Sequence, residues 1–71
     1  MKFVKVESSN IDAIAHDDME MYVEFKSGAV YAYDKVTKGI YHEIVNADSV
    51  GSAFNRLVKI NPELYPFRRL T

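Results

Sequence analysis

Cysteine is absent from the 71 residues, so neither a disulfide framework nor a thiolate-bound metal can hold the fold together. No apolar run in the chain approaches the roughly 18 residues that mark a membrane-spanning helix. A basic excess is missing too: nine Lys and Arg stand against ten Asp and Glu, for a net charge of −1. Domains built for long contact with a phosphate backbone usually carry an obvious positive excess, so extended nucleic-acid tracking is disfavoured. Glycine occurs three times and proline twice, and there is no linker, repeat or low-complexity segment. No basic-then-apolar leader opens the chain, and a cytoplasmic location is the expectation.

What is present fits one small globular domain over residues 1–71. Apolar residues make up 48% and charged residues 27%, a composition outside the disordered range. A chain of this size buries only about 60% of the surface its unfolded form exposes. With no staples, it must be compact and locally consistent or associate with itself, so a homodimer is one expectation. Charge is unevenly spread. Residues 1–36 hold four Lys against seven Asp and Glu, and residues 37–71 hold five Lys and Arg against three.

K-F-V-K-V at 2–6 is rich in β-formers and fits a short strand. S-S-N at 8–10 is a turn or cap cluster, and I-D-A-I-A-H at 11–16 fits a strand, with a helical turn as the alternative. Its alternation places Ile11, Ala13 and Ala15 on one side and Asp12, Ile14 and His16 on the other. Asp17-Asp18 reverses the chain. M-Y-V-E-F-K at 21–26 alternates clearly, Ser27-Gly28 supplies a tight turn, and A-V-Y-A-Y-D returns. A two- or four-residue loop puts Phe25 opposite Val30, Val23 opposite Ala32 and Tyr22 opposite Tyr33; a three-residue loop does not. On that register Met21, Val23, Phe25, Val30 and Ala32 form the core face, while Tyr22, Glu24, Lys26, Ala29, Tyr31 and Tyr33 share the other.

Beyond Asp34 the period becomes helical. Thr37 is an N-cap, and Ile40, Tyr41, Ile44 and Val45 form one stripe over 38–47, weakened by Gly39 in the first turn. Asp48-Ser49 breaks the chain and caps again. Val50, Phe54, Leu57 and Val58 stripe a second helix that Asn61-Pro62 stops. The tail L-Y-P-F-R-R-L packs back on the domain. The fold class is therefore α+β: an antiparallel meander of three to four strands followed by two helices packed on one face. Its core includes Val23, Phe25, Val30, Ala32, Ile44, Phe54, Leu57 and Val58.

S-S-N-I at 8–11, F-K-S-G at 25–28, V-Y-A-Y at 30–33 and S-V-G-S-A-F-N at 49–55, followed by Y-P, come in an order that resembles the KTSC domain. The resemblance covers roughly residues 6–68. That family occurs at the C-terminus of some lysyl-tRNA synthetases and as a free-standing small protein in bacteria and bacteriophages. It implies no established activity; its central Y-x-Y falls on Tyr31 and Tyr33, and its S-x-G on Ser49 and Gly51. RNA binding is what its setting implies. The chain departs from the family pattern at His16, where a tyrosine is frequent, and at Thr37, where a proline is common.

Two readings of the tyrosine face compete. Tyr22, Tyr31 and Tyr33 could stack bases with Lys26 meeting a phosphate, each stacked base worth about 1–3 kcal/mol. Alternatively they are cross-strand pairs that stabilise the hairpin and are covered by the tail, and Glu24 beside them repels phosphate. Arg56, Lys59, Arg68 and Arg69 are either a second set of phosphate contacts or a solvated face. His16 and His42 lack metal-ligand spacing, and Asp17, Asp18 and Glu20 lack the spacing and glycine of a calcium loop, so neither metal nor cofactor is expected. Ser8, Ser9 and Asn10 cap and turn; Ser49 caps the second helix, and Gly51 lets it pack closely on the first helix or the sheet. No catalytic constellation can be assembled, so the expected function is non-catalytic binding. An unknown protein partner is favoured slightly over RNA or single-stranded nucleic acid.

Overall fold

A computed structural model describes residues 1–71. Five antiparallel strands run in sequence order through one sheet: β1 (Val4–Lys5), β2 (Ile11–Asp17), β3 (Glu20–Phe25), β4 (Val30–Tyr33) and β5 (Phe67–Arg69). Between β4 and β5 come α1 (Lys38–Val45) and α2 (Val50–Phe54), and α2 continues through one π-helical turn at Asn55–Lys59. The expected α+β architecture holds, with one more strand than the meander read from the sequence. None of the helices is long and apolar enough to cross a membrane.

Both helices pack on one sheet face. Ile11, Ile14, Met21, Val23 and Tyr33 from the strands meet Val36, Ile44, Val50, Ala53, Phe54 and Val58 in one buried cluster. Local signals set the helix starts: the Thr37 hydroxyl accepts the Ile40 N–H at 3.2 Å, and the Ser49 hydroxyl accepts the Ser52 N–H at 3.3 Å. The helical stripes fall as their periods dictate, with Ile44 buried on α1 and Val50, Phe54 and Val58 on α2.

The β3–β4 register differs from the expected one. Met21 faces Tyr33, Tyr22 faces Ala32, Val23 faces Tyr31 and Glu24 faces Val30. The loop has three residues, Lys26–Gly28: Phe25 N–H donates to Ala29 O at 2.9 Å, and Gly28 N–H donates to Phe25 O at 2.9 Å. Gly28 sits at φ +98°, the positive-φ position that closes three-residue hairpins. A one-residue slip moves every side chain of the return strand to the other face. Tyr31 and Tyr33 therefore lie on the helix side with Val23, while Val30 and Ala32 lie on the open side with Tyr22 and Glu24. Ala32 is still buried, but outside the core cluster, and Val30 is half-buried. Phe25 and Leu57 pack against the core as half-buried side chains.

β2 carries a second irregularity. Ile11 pairs with Phe25 but Ala13 pairs with Glu24, leaving Asp12 as an extra residue in a β-bulge. The bulge returns Ile11 to the helix side with Ile14 and His16, instead of grouping it with Ala13 and Ala15. Asp12 is spent at the edge, where Lys5 Nζ reaches it at 3.3 Å. At the other end of β2, Asp18 and Met19 both adopt positive φ in a two-residue turn, and Met19 O accepts the Val36 N–H at 2.8 Å. His16 Nε2 donates to Val36 O at 2.6 Å, and its ring stacks on Tyr41 at 5.3 Å. At this departure from the family pattern, the imidazole ties the β4–α1 connection to the sheet.

Replacing Gly28 by Ala should destabilise the domain by about 1 kcal/mol, because the Cβ penalty at positive φ has no compensation. For a domain of this size that corresponds to a loss of about 4–8 °C in thermal midpoint. Gly39→Ala, where a new Cβ meets only Thr37 Oγ1 at 3.8 Å, should instead stabilise α1 by about 0.5 kcal/mol. Thermal melts of the two variants check both signs.

Candidate functional site

The tail supplies what the sequence pattern did not show. Leu64 and Tyr65 N–H groups donate back to Asn61 O, and the chain then enters β5 beside β4. Tyr31 faces Arg69, Ala32 faces Arg68 and Tyr33 faces Phe67. Alternation therefore sends Phe67 and Arg69 to the helix side and Arg68 to the open side. Asp34 N–H to Pro66 O and Leu70 N–H to Val30 O, both 2.8 Å, extend the ladder at its two ends.

The result is an aromatic floor at the edge of the helix layer. Tyr31 meets Phe25 edge-on at 5.7 Å and stacks on Tyr33 at 6.4 Å, while Phe67 sits 5.9 Å from Tyr31 and 5.8 Å from Tyr33. Tyr33 also packs edge-on against Phe54 at 5.2 Å and is only 5% exposed, so it is chiefly a core ring. Burial pushes its hydroxyl pKa up to about 12, with the neighbouring Tyr31 adding to the shift. Phe67 is 55% exposed and Tyr31 half-buried; these, with Phe25, are the rings a ligand can reach.

A groove of about 760 Å³ opens over this floor. Lys26 borders it from the hairpin tip, Lys59 from the π-helical turn and Arg69 from β5, whose guanidinium carbon lies 5.9 Å from the Tyr31 ring centre. Ser9, Asn10, Ser27, Ala29 and Pro62 complete the lining, and no carboxylate is among them. Glu24, expected to repel phosphate from the tyrosines, belongs to the opposite sheet face.

Of the eight residues singled out in the sequence, the structure brings five together here: Lys26, Tyr31, Tyr33, Lys59 and Arg69. Tyr22 and Arg68 lie on the other face and are engaged with Glu20, at 2.8 Å and 2.5 Å. The Arg68 hydrogen bond, seconded by that of Tyr22, holds the Glu20 carboxyl below its ordinary range. The Tyr22 hydroxyl is shifted up, first by that bond to Glu20 and then by burial. Arg56 lies on the π-helical turn after α2, outside the groove lining. Phe25, Ser9, Asn10 and Phe67 were missed as site residues. The F-x-R spacing at 67–69 is a strand alternation, but a three-residue strand just after Pro66 is too short to read.

Gly51 does pack closely, though on the Ser8 turn rather than on α1 or the sheet: a Cβ there would lie 3.1 Å from Ser8 Oγ. The S-S-N and S-x-G motifs are thereby brought face to face. No three His, Asp or Glu side chains come near enough together to hold a metal ion.

Residues 7–61 match the KTSC domain family, and the chain belongs to that family. An uncharacterized protein of Stutzerimonas stutzeri (strain A1501) is 35% identical over 72 residues, covering 99% of both chains. The crystal structure of a KTSC domain protein from Yersinia pestis superposes with a TM-score of 0.88 at 22% identity, over 99% of this chain and 97% of that one. That likeness is one of fold.

The raised Tyr33 pKa links stability to pH with a definite sign. The unfolded chain loses this proton near pH 10 while the folded protein keeps it to about 12, so folding is penalised as pH rises between the two. The full shift is worth about 2–3 kcal/mol. Denaturant melts should therefore lose stability more steeply over about pH 10–12 in the wild type than in Tyr33→Phe; equal slopes would contradict this linkage.

Proposed function

We propose that this KTSC domain is a non-catalytic binding module whose groove takes a short segment of single-stranded nucleic acid. The observation that carries it is the lining: Lys26, Lys59 and Arg69 surround Phe25, Tyr31 and Phe67 with no carboxylate among them. Aromatic faces that accept any base, set among cations that meet the backbone, are how sequence-tolerant single-strand sites are built. Net charge of −1 is compatible with a footprint of a few nucleotides, because three of the sheet's acidic residues, Asp17, Glu20 and Glu24, lie on the other face and Asp12 is held by Lys5. The resemblance to a module carried by some lysyl-tRNA synthetases, and by small bacterial and bacteriophage proteins, points the same way.

A second reading, an accessory protein that binds and modulates another protein, is favoured by the exposed apolar side chains of the C-terminal segment. Ile60, Leu64, Phe67 and Leu70 are 61%, 62%, 55% and 45% exposed. A second copy of the chain could also cover them.

Titrating the isotope-labelled protein with short single-stranded RNA should shift amides around Tyr31, Phe67, Lys26 and Lys59. Three phosphate contacts on a single strand give a log–log salt slope of about −2, so affinity should fall about 20-fold between roughly 50 and 200 mM salt. Arg69→Ala should reduce that slope by about 0.7. Silence at low salt, or shifts centred on Tyr22 and Arg68, would sink the nucleic-acid reading in favour of a protein partner.

A further inference from the structure

Beside the groove lies a second cavity, about 330 Å³ and more polar. The Ser8–Asn10 turn walls one side, and Ser52, Asn55 and Lys59 wall the other. The two cavities share Ser9, Asn10, Phe25 and Lys59, so they are compartments of one continuous site.

Its hydrogen-bonding capacity is largely unspent. Ser8 Oγ accepts the N–H groups of Asn10 and Ile11, each at 3.3 Å, which leaves its hydroxyl proton to be offered outward. The side chains of Ser9, Asn10, Ser52 and Asn55 make no hydrogen bond within the protein, and Lys59 is in no ion pair. No carboxylate lines this cavity either. Donors and one ammonium without a negative group are suited to an oxyanion. The π-helical turn marks the same place: Ile60 N–H skips to Asn55 O at 3.2 Å, and that wider turn carries both Asn55 and Lys59. Single π turns within helices occur frequently at functional sites.

We propose that this cavity is a phosphate subsite for the end of a nucleic-acid strand. The proposal rests on the nucleic-acid reading of the groove: the terminal base lies against the Tyr31 side and its phosphate sits between the serine turn and Lys59. The donor inventory favours an end over an internal position. A terminal phosphate monoester carries about −1.5 to −2 charge and three strong acceptor oxygens, whereas a diester within the strand carries one charge and two free oxygens.

The test is the affinity of the full chain for one short oligoribonucleotide bearing a 5′-phosphate, a 3′-phosphate or neither. One phosphorylated form should bind about tenfold tighter than the unphosphorylated one, the effect of one added charge-assisted hydrogen-bond set. Ser52→Ala combined with Asn55→Ala, two exposed positions that line only the polar cavity, should remove most of that preference. It should also leave the unphosphorylated affinity within about twofold. Equal binding of all three oligonucleotides by the wild type overturns the phosphate subsite and leaves the groove reading standing. Failure of all three to bind overturns both.

Discussion

One backbone conformation governs the rest of the molecule: the positive φ of Gly28 at the tip of the β3–β4 hairpin. It sets the loop at three residues, and loop length sets which residues of β4 face which residues of β3. Side chains alternate along a strand, so this choice is all or nothing. With the observed register, two tyrosines enter the helix side, where Tyr33 becomes core and Tyr31 becomes the floor of a groove. With a register one residue away, Val30 and Ala32 would take those places and no aromatic floor would exist. Tyr31, Tyr33 and the glycine before them are thus parts of one device.

Element types from β1 to α2 were legible in the sequence because each rests on local chemistry; β5 was not. The stripe Ile40, Tyr41, Ile44, Val45 and the stripe Val50, Phe54, Val58 both mark helix faces, and Thr37 and Ser49 cap where their side chains predict. What was not legible is relational. F-K-S-G-A-V permits two-, three- and four-residue loops with similar residue preferences, so Met21, Val23 and Phe25 face the core as expected while the two- or four-residue loop sets the wrong half of β4 beside them. Tyrosine carries a large apolar ring, so a face holding Tyr31 and Tyr33 is as fit to be buried as one holding Val30 and Ala32. The Asp12 bulge disguised β2 in the same manner, by inserting one residue into an otherwise regular alternation. Of the site, the cations and tyrosines were named from their types, but only the register and β5 decided which of them meet.

Charge shows the same dependence on facing. The chain is nearly neutral, yet its charges are sorted by the sheet: Glu20 and Glu24 go to the open face, where Glu20 occupies Arg68, while Lys26, Lys59 and Arg69 keep the groove side without a carboxylate among them. An average over the sequence loses this, because neighbouring residues such as Arg68 and Arg69 point to opposite sides. The exposed Arg68–Glu20 pair adds little stability by itself. The facing of Phe67 and Arg69 follows instead from the pairing of β5 with β4.

β5 is three residues long, exposed throughout, and belongs to no helix-packed core. Elements with so little buried surface open at a small fraction of the free energy needed to unfold the whole domain. Each opening does two things at once. It removes one wall of the groove, and it uncovers the hydrogen-bonding edge of β4, a strand rich in aromatic and β-branched side chains. β5 is therefore also a guard over that edge, and its opening is the step that exposes the chain to strand-to-strand pairing.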